Sequence, residues 1–156
     1  MADVPGKKVY LEDYHEGERW VTPGRTLTET DIVNYAGLTG DWHPLHTNVE
    51  YAKGTPFGER IAHGPLVFVL GSALVFRLGE NVIFPESFIA FYGMDRVRFV
   101  GPTKIGDTLH CEVEVISLAP KDEKRGLLVY HNTIKNQRDE AVVVFDSRAL
   151  VGRRPA

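Results

Sequence analysis

Apolar residues along this chain fall into two kinds of run. From Leu66 to Leu78 the segment LVFVLGSALVFRL is apolar on nearly every side, so it reads as a buried helix rather than as a surface helix with one apolar stripe. Pro65 suits the first turn, where its missing N–H is not needed, and Gly79 suits the stop just past the end. Such a helix is ~20 Å long against a bilayer core of ~30 Å, so the partner that buries it is protein. After Gly79 the pattern changes to alternating runs rich in β-branched and aromatic residues: Ser87 to Val100, Asp107 to Leu118, Gly126 to Gln137, and Glu140 to Val151. These predict four strands. The separators APKDEKR and NQRDE are short enough for hairpins between antiparallel neighbours, and GPTKIG breaks the first pair.

Upstream, Arg19 to Thr28 reads as an edge or bent strand interrupted at Pro23 and Gly24. Thr28, Glu29, Thr30 and Asp31 form a capping box with Asp in place of the usual Glu, and Ile32, Val33, Tyr35 and Ala36 supply a helical face ending near Gly37 or Gly40. Asn48 caps a short helix from Val49 to Lys53, after which Gly54, Pro56 and Gly58 force a loop. The first twenty residues, polar and punctuated by Gly and Pro, are expected to lie across the surface. The pattern predicts an α+β fold, with an antiparallel sheet of about five strands curled around one long central helix that arrives between the first and second strands.

With 156 residues and 43% hydrophobic content, the chain is expected to form one domain over 1–156 without metal or disulfide staples. A net charge of -3 provides no broad basic field for nucleic acid or anionic lipid. The single cysteine, Cys111, falls within a predicted strand and reads as a buried inert thiol in a reducing compartment. The start MADVPGKKVYLEDYHEGERW lacks the apolar core of a signal peptide, and no segment is long enough to span a membrane, so the expected location is the cytoplasm. There is no Gly-rich phosphate loop, no G-x-S-x-G elbow and no thiol near the histidines described next, which argues against nucleotide hydrolysis and Ser- or Cys-based acyl transfer.

Chemistry concentrates in the turn TGDWHPLHTN and in His63-Gly64-Pro65 at the start of the central helix. Asp41 and His46 are five positions apart, with Pro44 stiffening the connection and holding His43 out of helical geometry. An imidazole exchanges protons at neutral pH and a nearby carboxylate orients the ring or takes a proton itself, so the pair can hold one water. The spacing alone equally describes an Asp capping a turn and a His bonded to backbone. The N-terminus of the central helix presents unpaired N–H groups, and Gly64 lets a ligand approach them, which makes an oxyanion site; the same glycine also suits a tight loop-to-helix turn.

TGDWHPLHTNVEYA followed by FGERIAHGPL, and then RVRFVGPTKIGDTL, resembles the MaoC-like, R-specific enoyl-CoA hydratase family over roughly Trp20 to Val151. Members typically read S/T-G-D-x-N-P-L/I-H-x-D and then an I-A-H-G-like lead into the central helix. The resemblance implies a hot-dog fold, usually a dimer or larger, with catalytic Asp41 and His46 and with the Gly64 backbone N–H steadying an enolate oxygen. It implies reversible hydration of a trans-2-enoyl-CoA with no metal or redox cofactor, coenzyme A being part of the substrate. His43 stands where the family usually has Asn, and Asn48 where it often has Asp. His43 is larger and titratable, so it bears on the acyl pocket or the water. Trp42, His43, Phe57 and His63 are the candidate substrate contacts, His63 as the residue fixing the helix entrance; Trp42, Phe57, Phe68 and Phe84 suit either an acyl tunnel or the core. Arg96, Arg98, Lys104 and Arg125 suit either coenzyme A phosphates or solvated charge. Asp41, His43, His46 and His63 would be enough ligands for zinc, but their spacing matches no standard motif, and no metal is expected. Two rival readings remain: an acyl-CoA thioesterase using the same water, and a non-catalytic module that binds acyl-CoA or a partner.

Overall fold

The computed structural model describes residues 6–156. Two short strands, β1 (Arg19–Val21) and β2 (Arg25–Thr26), precede the helices α1 (Glu29–Thr39), α2 (Pro44–Thr47), α3 (Val49–Lys53) and α4 (Gly64–Ala73). Helix α4 runs on into a 3₁₀ segment, Leu74–Leu78, and the long strands β3 (Phe88–Phe99), β4 (Thr108–Pro120), β5 (Arg125–Lys135) and β6 (Ala141–Gly152) follow. The sheet order is β1-β4-β5-β6-β3, antiparallel throughout, with β2 also paired to β4. The result is a hot-dog fold, a sheet wrapped on a central helix, with six strands because Pro23 and Gly24 split the first extended segment in two.

Alternation along the strands sends Cys111, Val113 and Val115 of β4, Leu128, Tyr130 and Ile134 of β5, and Phe145, Ala149 and Val151 of β6 into one core with Leu66, Val67, Leu74 and Val75. The helix lies so close to the sheet that a Cβ placed on Gly71 would sit 2.3 Å from Ile134 Cδ1. Gly71→Ala is therefore expected to overpack this contact and cost about 1–3 kcal/mol, read as a lower denaturation midpoint at unchanged m-value. Unchanged stability would mean that the helix can ride further from the sheet. Cys111 is fully buried, and burial pushes its thiol up to about 12, which leaves it unreactive at neutral pH.

Two expectations change. The central helix is not buried on every side: Val69 is 52% and Phe76 66% exposed, because the sheet covers one flank and the other opens beside the edge strand β3, itself exposed at Phe91, Tyr92 and Phe99. The residues before Arg19 do not all lie on the surface either. Leu11 and Tyr14 are buried, and the Tyr14 hydroxyl donates to the Val82 carbonyl at 2.9 Å, which ties this segment to the loop after the helix. Among the described residues no helix is long and apolar enough to cross a membrane.

Candidate active site

The turn is placed by the end of α1. The capping box holds the start of that helix, with Asp31 Oδ2 accepting the Thr28 N–H at 2.8 Å, and Gly40, at φ 77°, ends it in the left-handed region that favours glycine. Asp41 follows directly. Its Oδ1 accepts the His43 N–H at 3.2 Å. His43 has the extended backbone that a following proline imposes, and its Nδ1 accepts the Leu45 N–H at 3.2 Å, so it caps α2. The one-turn helix then delivers His46, whose Nδ1 lies 2.7 Å from the Ile61 carbonyl. A carbonyl only accepts, so Nδ1 carries the proton and Nε2 is left as the basic nitrogen. Arg60 braces the assembly by pairing with both Glu29 carboxylate oxygens, at 2.9 and 2.6 Å, while donating to the His46 carbonyl at 3.3 Å.

His63 stands behind this pair. It is 1% exposed, and its ring lies 3.9 Å from that of His46 and 4.8 Å from that of Tyr35. Its Nε2–H donates to the Asp41 carbonyl at 3.0 Å, and its buried Nδ1 has no partner among the described residues. It thus joins the turn, the imidazole of His46 and the start of α4. A carboxylate oxygen of Asp41 and ring nitrogens of His46 and His63 all lie within 4.8 Å of one another. Two hydrogen bonds of ~2.8 Å meeting at a tetrahedral water span ~4.6 Å, a separation within that bound.

Burial holds the His46 imidazole below its usual 6.5, reinforced by His63 and opposed by the Ile61 hydrogen bond and the Asp41 charge. His46 is therefore neutral at pH 7 and able to take a proton. As pH falls below 6.5 the unfolded chain binds a proton at this position before the folded chain does, so this residue's contribution to stability falls on acidification. If His46 is the base, the acid limb of kcat/KM will have its inflection below pH 6.5, measured from pH 4.5 to 8; a limb centred above 6.5 would exclude it as that base.

A cavity of about 370 Å³ opens beside His46, walled by Phe57, Gly64, Val67, Phe99, Thr103 and Val143 among others. The Gly64 N–H, at the start of α4, has no protein partner among the described residues. A Cβ at this position would meet the Phe99 ring at 3.0 Å, so the ring rests on bare backbone. The structure therefore brings His46, Gly64 and Phe57 to one cavity, with His63 behind His46. Asp41, Trp42 and His43 are exposed and form no part of its wall, Asp41 reaching the site only through its nearness to His46 and His63, while Phe68 packs edge-on against Phe145 in the core. Thr103, which nothing in the separator GPTKIG marks, also lines the cavity, and its buried hydroxyl has no partner among the described residues. Of the four cations considered for phosphates, Arg96, Lys104 and Arg125 each hold a carboxylate, from Asp146, Glu59 and Asp122, and Arg98 is exposed.

Residues 13–137 match the MaoC like domain. The chain belongs to the MaoC-like dehydratase family. It is 38% identical over 112 residues to the (R)-specific enoyl-CoA hydratase of Rhodospirillum rubrum, covering 72% of this chain and 73% of that one. To Protein MaoC of Klebsiella aerogenes it is 40% identical over 100 residues, which are 64% of this chain but 28% of that longer protein. The X-ray structure of the monoamine oxidase regulatory protein of Archaeoglobus fulgidus superposes with a TM-score of 0.87 at 41% identity, covering 96% of this chain and 98% of that one. His46 from the MaoC-like turn, Gly64 at the helix start and Phe99 to Thr103 from the following strand and its turn thus gather around the cavity.

Proposed function

We propose that this MaoC-like chain reversibly adds water to trans-2-enoyl-CoA thioesters, giving R-3-hydroxyacyl-CoA. The observation that carries the reading is a neutral His46 whose Nε2 has no protein partner among the described residues, the Asp41 carboxylate within 4.8 Å of one of its ring nitrogens, and an unpaired backbone N–H on the cavity that His46 lines. Asp41 and His46 hold and deprotonate the water, which attacks the β-carbon, and one of them returns a proton to the α-carbon. As charge moves onto the thioester oxygen, the Gly64 N–H, fixed at the helix start, stabilises the enolate. The relative from Rhodospirillum rubrum supports both the reaction and the R configuration. Incubation with crotonyl-CoA is expected to remove the conjugated enoyl absorbance without releasing free thiol. Thiol release would instead make the chain a thioesterase, and binding with neither change would make it a carrier or partner-binding module.

In this reading no step calls on a metal, since the acid/base pair activates the water and the backbone takes the developing charge. Activity is expected to survive exhaustive chelation; loss on chelation with recovery on adding zinc would assign the grouped Asp41, His46 and His63 to a metal instead. The substrate is an acyl-CoA thioester, neither nucleic acid nor a membrane surface being expected at a net charge of -3. The exposed, aromatic-rich edge strand β3 supports a homodimer or larger assembly formed along that edge, and the unreactive Cys111 is in keeping with a cytoplasmic protein. Sizing at micromolar concentration should give at least a dimer; a fully active monomer would refute the assembly.

A further inference from the structure

A second cavity, of about 150 Å³, lies further along the same three elements. On α4 the wall passes from Gly64 and Val67 to Val69 and Ser72, on β6 from Val143 to Phe145 and Ser147, and on β3 from Phe99 to Met94 and Phe91. Two residues along a strand advance ~7 Å, and the eight residues from Gly64 to Ser72 advance ~12 Å along the helix. A thioester carbonyl at Gly64 would send its acyl tail along α4 into this second space, whose volume takes a molecule the size of benzene.

Its wall is apolar except at Ser72, whose hydroxyl donates to the Val69 carbonyl at 3.1 Å, and at Asn132 with Ser147. Asn132, 3% exposed, donates from its amide nitrogen to Ser147 Oγ at 3.0 Å and to the Tyr130 carbonyl at 3.3 Å, and among the described residues nothing donates to its Oδ1. Ser147, 8% exposed, receives the Asn132 bond and has no acceptor for its own proton among the described residues. The cavity thus offers one unused acceptor and one unused donor side by side, open to whatever fills the space. A hydroxyl satisfies both, donating to Asn132 Oδ1 and accepting from Ser147. A carboxylate does not: the wall contains no cation, so its charge would be buried without compensation.

We infer that the acyl group this site takes carries a hydroxyl several carbons beyond the enoyl bond, read by Asn132 and Ser147. The inference rests on the hydratase reading and deepens it. The test compares kcat/KM for trans-2-octenoyl-CoA, its 8-hydroxy form and its 8-carboxy form, with crotonyl-CoA, too short to reach Asn132, as the measure of hydration itself. The unmodified chain is expected to favour the hydroxy form over the plain one by about tenfold, the worth of one or two net hydrogen bonds, and to disfavour the carboxy form. That ratio, taken within each variant, should fall to near one in Asn132→Leu. Ser147→Ala, a smaller change for the core, should lower it in the same direction should Asn132→Leu not fold. Failure to hydrate crotonyl-CoA would sink the hydratase reading. Hydration of crotonyl-CoA with no preference for the hydroxy form, a preference for the carboxylate, or a ratio unmoved in both variants would overturn the inference alone.

Discussion

Asparagine in place of Asp41, or of His46, lowers the turnover of enoyl-CoA hydration by about 10² to 10⁴ if the two side chains share one water, the usual contribution of positioned acid/base catalysis. Each change keeps the size of the side chain while removing the proton acceptor, so folding and assembly should survive. The double variant is expected to lose far less than the product of the two single losses, because either deletion already disables the unit. His43→Asn is the control. The imidazole of His43 caps α2 through Nδ1, and an asparagine oxygen can accept the same Leu45 N–H, so the helix carrying His46 should stay in place and hydration should persist. Near-normal turnover in both folded single variants would make the turn from Asp41 to His46 purely structural.

Gly64→Ala is expected to lower kcat/KM by about 10², the cost of displacing a substrate by ~1 Å. The new Cβ would lie 3.0 to 3.3 Å from three atoms of the Phe99 ring, on the cavity wall beside the N–H proposed to receive the enolate oxygen. Phe99 is 53% exposed and can swing outward, so the loss should appear in catalysis rather than in stability. Adding Phe99→Leu relieves the contact and should restore part of the rate. Wild-type kcat/KM in Gly64→Ala would mean that the thioester carbonyl does not approach this backbone.

Strands β4, β5 and β6 were legible because inward positions recur at every second residue and are mostly apolar, and the three close through two short polar turns, whereas β3 was legible from its run of aromatic and β-branched residues alone. The starts of α1 and α3 were legible because Thr28 with Asp31, and Asn48, are local capping devices that act within one turn. What stayed hidden depends on residues far apart in the chain. A helix that is apolar all round does not show which flank its own sheet will leave open, so the exposure of Val69 and Phe76 could not be read. Leu11 and Tyr14 are too few to set a period. The tautomer of His46 is imposed by Ile61, fifteen residues on. Asn132 and Ser147 meet only through the register of β5 against β6, where each falls on an inward position of an otherwise apolar face. Asp41, His46 and Gly64 could be singled out as candidates in advance because they sit on two compact motifs; Thr103, a hydroxyl in a turn, carried no such mark.

The most direct measurement is the stereochemistry of water addition. With crotonyl-CoA in D₂O, a water held by Asp41 and His46 on one face of a substrate whose carbonyl is pinned at Gly64 delivers its oxygen to C3, and the same groups return the proton to C2. The account predicts R-3-hydroxybutyryl-CoA carrying one deuterium at C2 on the same face as the new hydroxyl. An S product, or deuterium spread over both faces of C2 at early times, would contradict it.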